Sequence, residues 1–206
     1  GLAADLESIL KLQDFDWRKT IEYISQQTIL KYREGQPMIQ IGKLPAVPGP
    51  RWRLKPLIPE GDISVLFGPG GAGKSMLALL CGIAVQHGWD GLGCEVEQGN
   101  VAYIDWEWGA QEHNQRMKSI EAGMELPFTP EIYYQYVFQQ IEDVIDSLRQ
   151  RFVERNIKFA IFDSKVAALG GAKEAKENSE PLFRCLRSLE GISCLVIDHT
   201  TKDIEG

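Results

Sequence analysis

The residues with the clearest chemistry in this sequence are Gly68-Pro69-Gly70-Gly71-Ala72-Gly73-Lys74-Ser75, which fit the spacing G-x-x-x-x-G-K-[ST]. Glycines let the backbone wrap around phosphate oxygens, and the N-terminus of the helix that follows adds positive potential. In this motif the lysine reaches the β- and γ-phosphates, and the serine hydroxyl is a ligand for Mg²⁺. We therefore predict that residues 68–76, from Gly68 to Met76, bind ATP. Lys74 is the predicted catalytic residue that contacts the phosphates, and Ser75 is the predicted ligand for Mg²⁺. A purely structural glycine turn is the alternative.

An acid on a neighbouring strand is expected to complete the Mg²⁺ site. Asp163 follows the apolar run Phe159-Ala160-Ile161-Phe162 and so stands at the end of a predicted buried strand. Ligands of parallel sheets lie beyond the carboxyl ends of the strands, which is where this carboxylate is expected. We predict that Asp163 holds Mg²⁺ through a water molecule, together with Ser75. A strand-terminal aspartate that only caps a turn is the alternative.

ATP hydrolysis also needs a residue that positions or deprotonates the attacking water. Many ATPases place a glutamate directly after the metal-binding aspartate, but Ser164 stands there in this chain. Another predicted strand, Val101-Ala102-Tyr103-Ile104-Asp105, is followed two residues later by Glu107. Period-2 alternation puts Asp105 and Glu107 on the same face if the strand continues. Position favours Glu107 as the catalytic acid, with Asp105 or a solvated acidic turn as the alternatives.

The last predicted strand ends in Asp198-His199-Thr200-Thr201-Lys202, on the ligand side of the sheet. A neutral histidine there can hydrogen-bond a water molecule or the γ-phosphate and sense its loss, so His199 is a further catalytic candidate. A satisfied turn histidine is the alternative. The loop after Asp163 is basic. It is interpreted either as an ordinary solvated loop or as a loop that contacts a nucleic-acid backbone. The basic residues of that loop and of the helix after it are Lys165, Lys173, Lys176, Arg184 and Arg187.

From about Trp52 onward, short apolar strands alternate with helices, which predicts an α/β fold. Such alternation requires crossover connections, so we expect a mainly parallel sheet covered by helices on both faces. His87 and His113 have positions typical of a helix surface, and Glu112 and Arg116 have the spacing of an ordinary i,i+4 pair. The predicted strands are 63–67, 101–105, 132–138, 159–163 and 194–198, and the predicted helices are 74–87, 110–122, 141–152 and one that Ser179 caps and that runs to Leu189.

The first fifty residues differ from the rest of the chain. Apolar residues recur at helical spacing over residues 4–34, and three prolines in Leu44-Pro45-Ala46-Val47-Pro48-Gly49-Pro50 predict an extended linker. We therefore divide the chain into 1–50, an N-terminal helical arm with a proline-rich linker, and 51–206, an ATPase core. The arm is interpreted as a packing element, with oligomerisation or partner binding as the alternative.

Composition limits the partners of the protein. With 22 Lys+Arg against 29 Asp+Glu, the formal net charge of the 206 residues is −7. That charge excludes a broadly basic DNA-coating surface but not a few basic side chains in a channel. The four cysteines do not show C-x-x-C spacing. This absence favours reduced thiols in a cytosolic protein. No apolar run approaches the ~20 residues that span a bilayer, and the N-terminus has no secretory signal, so we predict a cytoplasmic protein without a membrane partner.

Four blocks of the sequence, taken in order, resemble the RecA-like P-loop ATPases and, within them, the RepA-type hexameric helicases. The blocks are residues 57–75, 101–107, 159–169 and 198–202. In that family the catalytic glutamate lies on the strand after the first helix, so the resemblance implies Glu107 rather than Asp105, and it supports His199 and Lys202. It also implies a RecA-like fold and Mg²⁺-dependent ATP hydrolysis coupled to single-stranded DNA. The expected assembly is a ring, which is a hexamer in the helicases, or a filament, with ATP at each subunit interface and a basic finger from the neighbouring subunit.

The chain departs from the RepA-type pattern at two positions. Asp198 replaces the first histidine of a His-His-x-x-Lys ending, and Trp108 stands where an acid often follows the glutamate. RecA-like cores usually carry further strands, so the resemblance implies a core that is cut short at its C-terminal end or a minimal version. The functional alternatives are a regulatory or recombination-accessory ATPase that acts on a protein partner and, less favoured, a P-loop small-molecule kinase. The basic finger is not identified, and Lys202 is one candidate.

Overall fold

A computed structural model describes residues 16–34, 38, 40, 44, 49–171 and 178–199. The chain divides into two compact units, Gly1–Val47 and Pro48–Gly206. The first unit contains helix α1 (Trp17–Glu34), whose N-terminus is capped by Asp16, because its carboxylate accepts a 3.0 Å hydrogen bond from the Lys19 backbone N–H. The helix predicted over residues 4–34 is therefore present over its described part. Residues 4–15 and most of the predicted linker lie outside the described residues.

The second unit alternates strands with helices. Among the described residues, no helix is both long enough and apolar enough to cross a membrane. The strands are β1 (Trp52–Lys55), β2 (Ile58–Pro59), β3 (Ile63–Gly68), β4 (Glu95–Val96), β5 (Asn100–Asp105), β6 (Tyr133–Tyr136), β7 (Ile157–Asp163) and β8 (Ser193–His199). The helices are α2 (Lys74–His87), α3 (Ala110–Gly123), α4 (Ile141–Glu154), α5 (Lys165–Ala168) and α6 (Glu180–Arg187).

Five of the strands form one sheet in the order β3-β8-β7-β5-β6, and every neighbouring pair is parallel. The predicted α/β fold with a parallel sheet and flanking helices is therefore confirmed. Because all five strands run in one direction, their carboxyl ends meet at a single edge. The register pairs Asp105 with Asp163 and Gly68 with His199 at this edge. Residues that are far apart in sequence are thus aligned beside the glycine-rich loop.

Helices cover both faces of this sheet because successive strand residues point to opposite sides. One core lies under helix α2 and the other under α4 and α6. Helix α2 lies close to the sheet at Gly82, where an added Cβ would lie 3.0 Å from Ile132 Cδ1 and 3.1 Å from Ile161 Cδ1. The first core includes Leu79, Ile83, Val101, Tyr103, Phe159 and Ile161, and the second includes Ile104, Ile141, Leu148, Phe162, Leu182 and Val196.

A small antiparallel sheet, β2-β1-β4, was not among the predicted elements. Its strands have two to four residues, which is too short for an apolar alternation to be recognised in the sequence. This sheet buries Arg53, which is 4% exposed and whose Nη2 lies 3.3 Å from Glu60 Oε1. The ion pair compensates for burying a guanidinium in the small sheet.

Several helix ends differ from the predictions: α4 ends at Glu154 rather than at residue 152, and α6 ends at Arg187 rather than at Leu189. Gly123 lies inside α3 rather than after it, and the helix ends with the Met124 N–H donating to the Ile120 carbonyl. Ser179 precedes α6, but its side chain does not cap the helix. Its hydroxyl accepts a hydrogen bond from Lys165 Nζ, and the Asn178 side chain instead accepts one from the Glu180 N–H. The longer side chain of Asn178, one residue before Ser179, thus replaces the expected serine cap.

All four cysteines are free thiols, and their environments differ. Cys81 and Cys194 lie in the core at 3% and 0% exposure, whereas Cys94 is half-buried. Burial raises the pKa of Cys81 to about 11 and that of Cys194 to about 12. These two thiols are therefore both inaccessible and protonated at neutral pH. Since the thiolate is the reactive form, they are expected to be unreactive in the folded protein.

We predict that Cys94 reacts first when the native protein is treated with a thiol reagent near pH 8. Cys81 and Cys194 should react only when the protein unfolds, since their pKa values lie far above the reaction pH. Mass spectrometry of a timed alkylation measures the order, and Cys94→Ser should remove the fast phase. Modification of Cys81 as fast as that of Cys94 without denaturant would contradict the packing described here.

Candidate active site

The glycine-rich loop connects the end of β3 to the start of α2. Gly71 and Gly73 have φ values of 76° and 82°, which lie in the left-handed region that favours glycine. Gly73 directly precedes the first residue of the helix, and the first turn of α2 contains no acidic residue. The positive end of the helix dipole therefore faces the loop without a competing carboxylate in that turn, which is the arrangement that binds phosphate.

Lys74 is 7% exposed and folds back over the loop. Its Nζ donates hydrogen bonds of 2.8 Å to the carbonyl oxygens of Gly68 and Pro69. These two bonds hold the loop in its wrapped conformation and leave the ammonium charge un-neutralised, because carbonyl groups carry no net charge. The lysine is therefore placed to interact with an anion in the loop.

Ser75 and Asp163 lie side by side, as a shared Mg²⁺ site requires. The Ser75 hydroxyl donates to Asp163 Oδ2 at 2.7 Å, and the Tyr103 hydroxyl donates to the same oxygen at 2.6 Å. Burial, followed by the charge of Asp163, raises the pKa of Tyr103 far above its ordinary value, so the phenol keeps the proton that it donates. Asp163 is 1% exposed, and its Oδ1 is buried without a hydrogen-bond partner among residues 16–34, 49–171 and 178–199. A buried carboxylate oxygen beside a hydroxyl is a donor set that fits Mg²⁺.

Glu107 lies close to Asp163 and to His199. Its side chain is 32% exposed, its Oε1 accepts a hydrogen bond from the Ser164 hydroxyl, and that oxygen lies 3.7 Å from His199 Nε2. One ligand atom from each of Glu107, Asp163 and His199 lies within 4.8 Å of the other two. Three candidates from three different strand ends thus form one polar cluster.

Asp105 has a different environment from Glu107. Its side chain is fully buried and accepts hydrogen bonds from the backbone N–H groups of Glu107 and Trp108, from His113 and from the Tyr134 hydroxyl. Burial alone would raise the pKa of Asp105, but hydrogen bonds from His113 and the two backbone amides outweigh it and lower the pKa. A carboxylate engaged in this way has no access to an attacking water molecule.

The expected surface position of His113 is wrong, because the residue as a whole is 2% exposed. A helix that is polar nearly all round gave no periodic signal for a buried histidine. His87 is half-buried rather than exposed, and its ring stacks on Phe128 at 4.1 Å between centroids.

The basic candidates after Asp163 are in different environments. Lys165 is 9% exposed and forms an ion pair with Asp198, with Nζ 2.7 Å from Oδ2. The Lys165 ammonium is therefore paired with Asp198 and is not available to bind a ligand. Arg184 is exposed and pairs with Glu142 at 2.8 Å, and Arg187 is exposed. Lys173, Lys176, Thr200, Thr201 and Lys202 lie outside the described residues.

Two residues beside the loop, Trp108 and Arg116, were not predicted to belong to the site. With residues 71–76 they line a cavity of about 260 Å³. The Arg116 guanidinium lies 5.2 Å from the centroid of the Trp108 ring, and its Nη2 is 3.2 Å from Glu112 Oε1, so the expected i,i+4 pair is formed. The available signal was an aromatic residue directly after Glu107 followed eight residues later by an arginine.

Comparison with known families gives a match over most of the chain. A family model described as an AAA domain matches residues 37–205. No curated protein matches the chain. The matched region includes the glycine-rich loop and the polar cluster of Glu107, Asp163 and His199.

We predict that Lys74→Ala weakens nucleotide binding. Loss of hydrogen bonds from a charged donor costs about 1.5–3 kcal/mol, or roughly 10- to 100-fold in Kd. Titration with a fluorescent ATP analogue measures the change. Lys118→Ala, at an exposed position of α3, is the matched control and should bind as the parent does. Equal affinity of Lys74→Ala and the parent would contradict a phosphate-binding role for this lysine.

Proposed function

Because the chain belongs to the AAA domain family of P-loop ATPases, we propose that it hydrolyses ATP with Mg²⁺ at the carboxyl edge of its five-stranded sheet. The observation that carries this proposal is the cluster at that edge. Ligand atoms of Glu107, Asp163 and His199 lie within 4.8 Å of one another, and Ser75 contacts Asp163. A nucleotide bound to the loop would present its γ-phosphate to this cluster.

The chain's own residues divide the work of binding and hydrolysis. The loop amides and Lys74 bind the phosphates, and Lys74 exchanges its two carbonyl partners for phosphate oxygens. Ser75 and Asp163 would hold Mg²⁺, which when bound neutralises charge on the phosphate oxygens. Asp163 is kept in place by Tyr103 if Ser75 turns toward the metal.

Glu107 is the residue we assign to the attacking water. Of the two acids at the carboxyl end of β5, Asp105 and Glu107, only Glu107 has an accessible carboxylate, and the Ser164 hydroxyl donates a hydrogen bond to one of its oxygens. It can orient the water in line with the γ-phosphate and accept its proton. His199 lies 3.7 Å from the same carboxylate, which supports a role in contacting the water or the γ-phosphate.

We further propose that hydrolysis is coupled to single-stranded DNA in a ring of RepA-type helicase character. The support is the set of four sequence blocks that resemble this group, together with the family match. A ring reconciles DNA binding with a net charge of −7, because a few basic side chains per subunit are repeated around a pore. Lys202 stays one candidate for the basic finger.

Glu107→Gln is expected to lower kcat for ATP hydrolysis by about 100-fold or more, because the amide cannot accept a proton from water. Nucleotide affinity should stay within about twofold, since only the step after binding is affected. A coupled phosphate-release assay measures kcat, and Glu154→Gln on the exposed end of α4 is the matched control. If Glu107→Gln hydrolyses ATP as fast as the parent, the assigned residue is wrong.

Single-stranded DNA is expected to increase the ATPase rate and to promote a ring in the presence of ATP. Turnover with and without an oligonucleotide and the mass in solution under the same conditions test the two statements. A flat rate with active ATPase would favour the alternative in which the partner is a protein. A monomer under all conditions would contradict the ring.

A further inference from the structure

His113 is a buried titratable group to which the proposed mechanism gives no role. It lies on α3, where the only other buried residue is Ile120, seven positions later on the same helix face. The His113 side chain is 3% exposed, although histidines are more often found partly exposed at protein surfaces. A polar ring buried on an otherwise solvated helix requires polar partners to offset its desolvation.

The partner of His113 is Asp105, whose side chain is fully buried. His113 Nε2 lies 2.9 Å from Asp105 Oδ2. Because the ionised carboxylate only accepts hydrogen bonds, the proton of this bond belongs to Nε2. The other ring nitrogen, Nδ1, is buried and has no hydrogen-bond partner among the described residues, so the ring forms its hydrogen bond with this carboxylate through Nε2.

The same carboxylate holds the backbone of the residue that we assign to the attacking water. Asp105 Oδ1 accepts a 2.9 Å hydrogen bond from the Glu107 N–H and one of 3.2 Å from the Trp108 N–H. These bonds fix the turn after β5, and the direction of the Glu107 side chain depends on that turn. Asp105 thus acts on Glu107 through the backbone rather than through its side chain.

The His113 ring also contacts the residue that holds the predicted metal ligand. Its centroid lies 4.4 Å from that of Tyr103, whose hydroxyl donates to Asp163 Oδ2 at 2.6 Å. One buried ring therefore lies between the support of Glu107 and the support of Asp163. A change in the position of the His113 ring would therefore alter the separation of the Glu107 and Asp163 carboxylates.

We propose that His113 and Asp105 form a positioning pair that sets the place of the Glu107 carboxylate relative to Asp163. The inference rests on the proposed role of Glu107 for its effect on catalysis, whereas its structural part stands on the hydrogen bonds alone. We assign neither residue a contact with substrate. The hydrogen bond from His113, together with a 3.0 Å bond from the Tyr134 hydroxyl to the same oxygen, keeps the Asp105 carboxylate directed at the two amides, and the Tyr103 ring packs against the His113 ring.

The experiment compares three substitutions of His113. His113→Gln retains an N–H donor at a position similar to Nε2, His113→Asn carries a donor that is too short to reach Asp105, and His113→Leu removes the donor. His87→Leu makes the same change away from the site and is the control. Each variant is assayed for kcat, for ATP affinity and for amide hydrogen exchange at Glu107 and Trp108.

His113→Leu and His113→Asn should lower kcat about 10- to 100-fold, as expected for a misplaced catalytic group, with ATP affinity close to that of the parent. Amide exchange at Glu107 and Trp108 should become faster in both, and His113→Gln should restore both readouts. His87→Leu should leave them unchanged. The conservative Gln variant keeps the comparison informative if the Leu variant does not fold.

Two results would overturn the positioning pair. One is parental kcat and parental amide exchange in a folded His113→Asn variant, and the other is a His113→Gln variant that loses both as fully as His113→Asn does. A parent protein without ATPase activity would count against the proposed function instead. In that case exchange at Glu107 and Trp108 still decides whether His113 holds the turn.

Discussion

The carboxylate of Asp163 lies at the carboxyl end of β7, the central strand of the sheet, at 1% exposure. Burying such a charge is costly unless hydrogen-bond donors or a cation surround it. Ser75 and Tyr103 direct their hydroxyls at one of its oxygens, which requires the start of α2 and the strand β5 to lie beside β7. The other oxygen is buried and has no hydrogen-bond partner within the described part of the chain, which agrees with our proposal that Asp163 helps to hold Mg²⁺.

Burial separates two acids that are two residues apart in sequence. Asp105 is fully buried and accepts hydrogen bonds from two backbone amides, a histidine and a tyrosine, whereas Glu107 retains a side chain that is 32% exposed. The Asp105 carboxylate is therefore suited to fixing the backbone around it, and the Glu107 carboxylate is suited to contacting water. The role that we propose for Glu107 fits this division, because a reactive group needs rigid support.

Much of the fold was predictable because it depends on local regularities. Alternation of apolar strands and helices indicates a parallel α/β sheet without reference to any single contact. The small sheet β2-β1-β4 escaped prediction because strands of two to four residues carry no usable period. The capping role expected of Ser179 failed for a different reason, since Lys165 from another element binds its hydroxyl.

The sequence by itself determined that a phosphate-binding loop lies between a strand and a helix, and that acids stand at the ends of other strands, because these are properties of short segments. Only the tertiary structure decided which acid is accessible, which side chains share the site and where His113 lies. Asp105 accepts hydrogen bonds from Tyr134 of β6 and from His113 of α3. Glu107 instead accepts one from Ser164, which directly follows β7. Exposure and hydrogen bonding of a carboxylate depend on residues distant in sequence, and only folding brings those residues together.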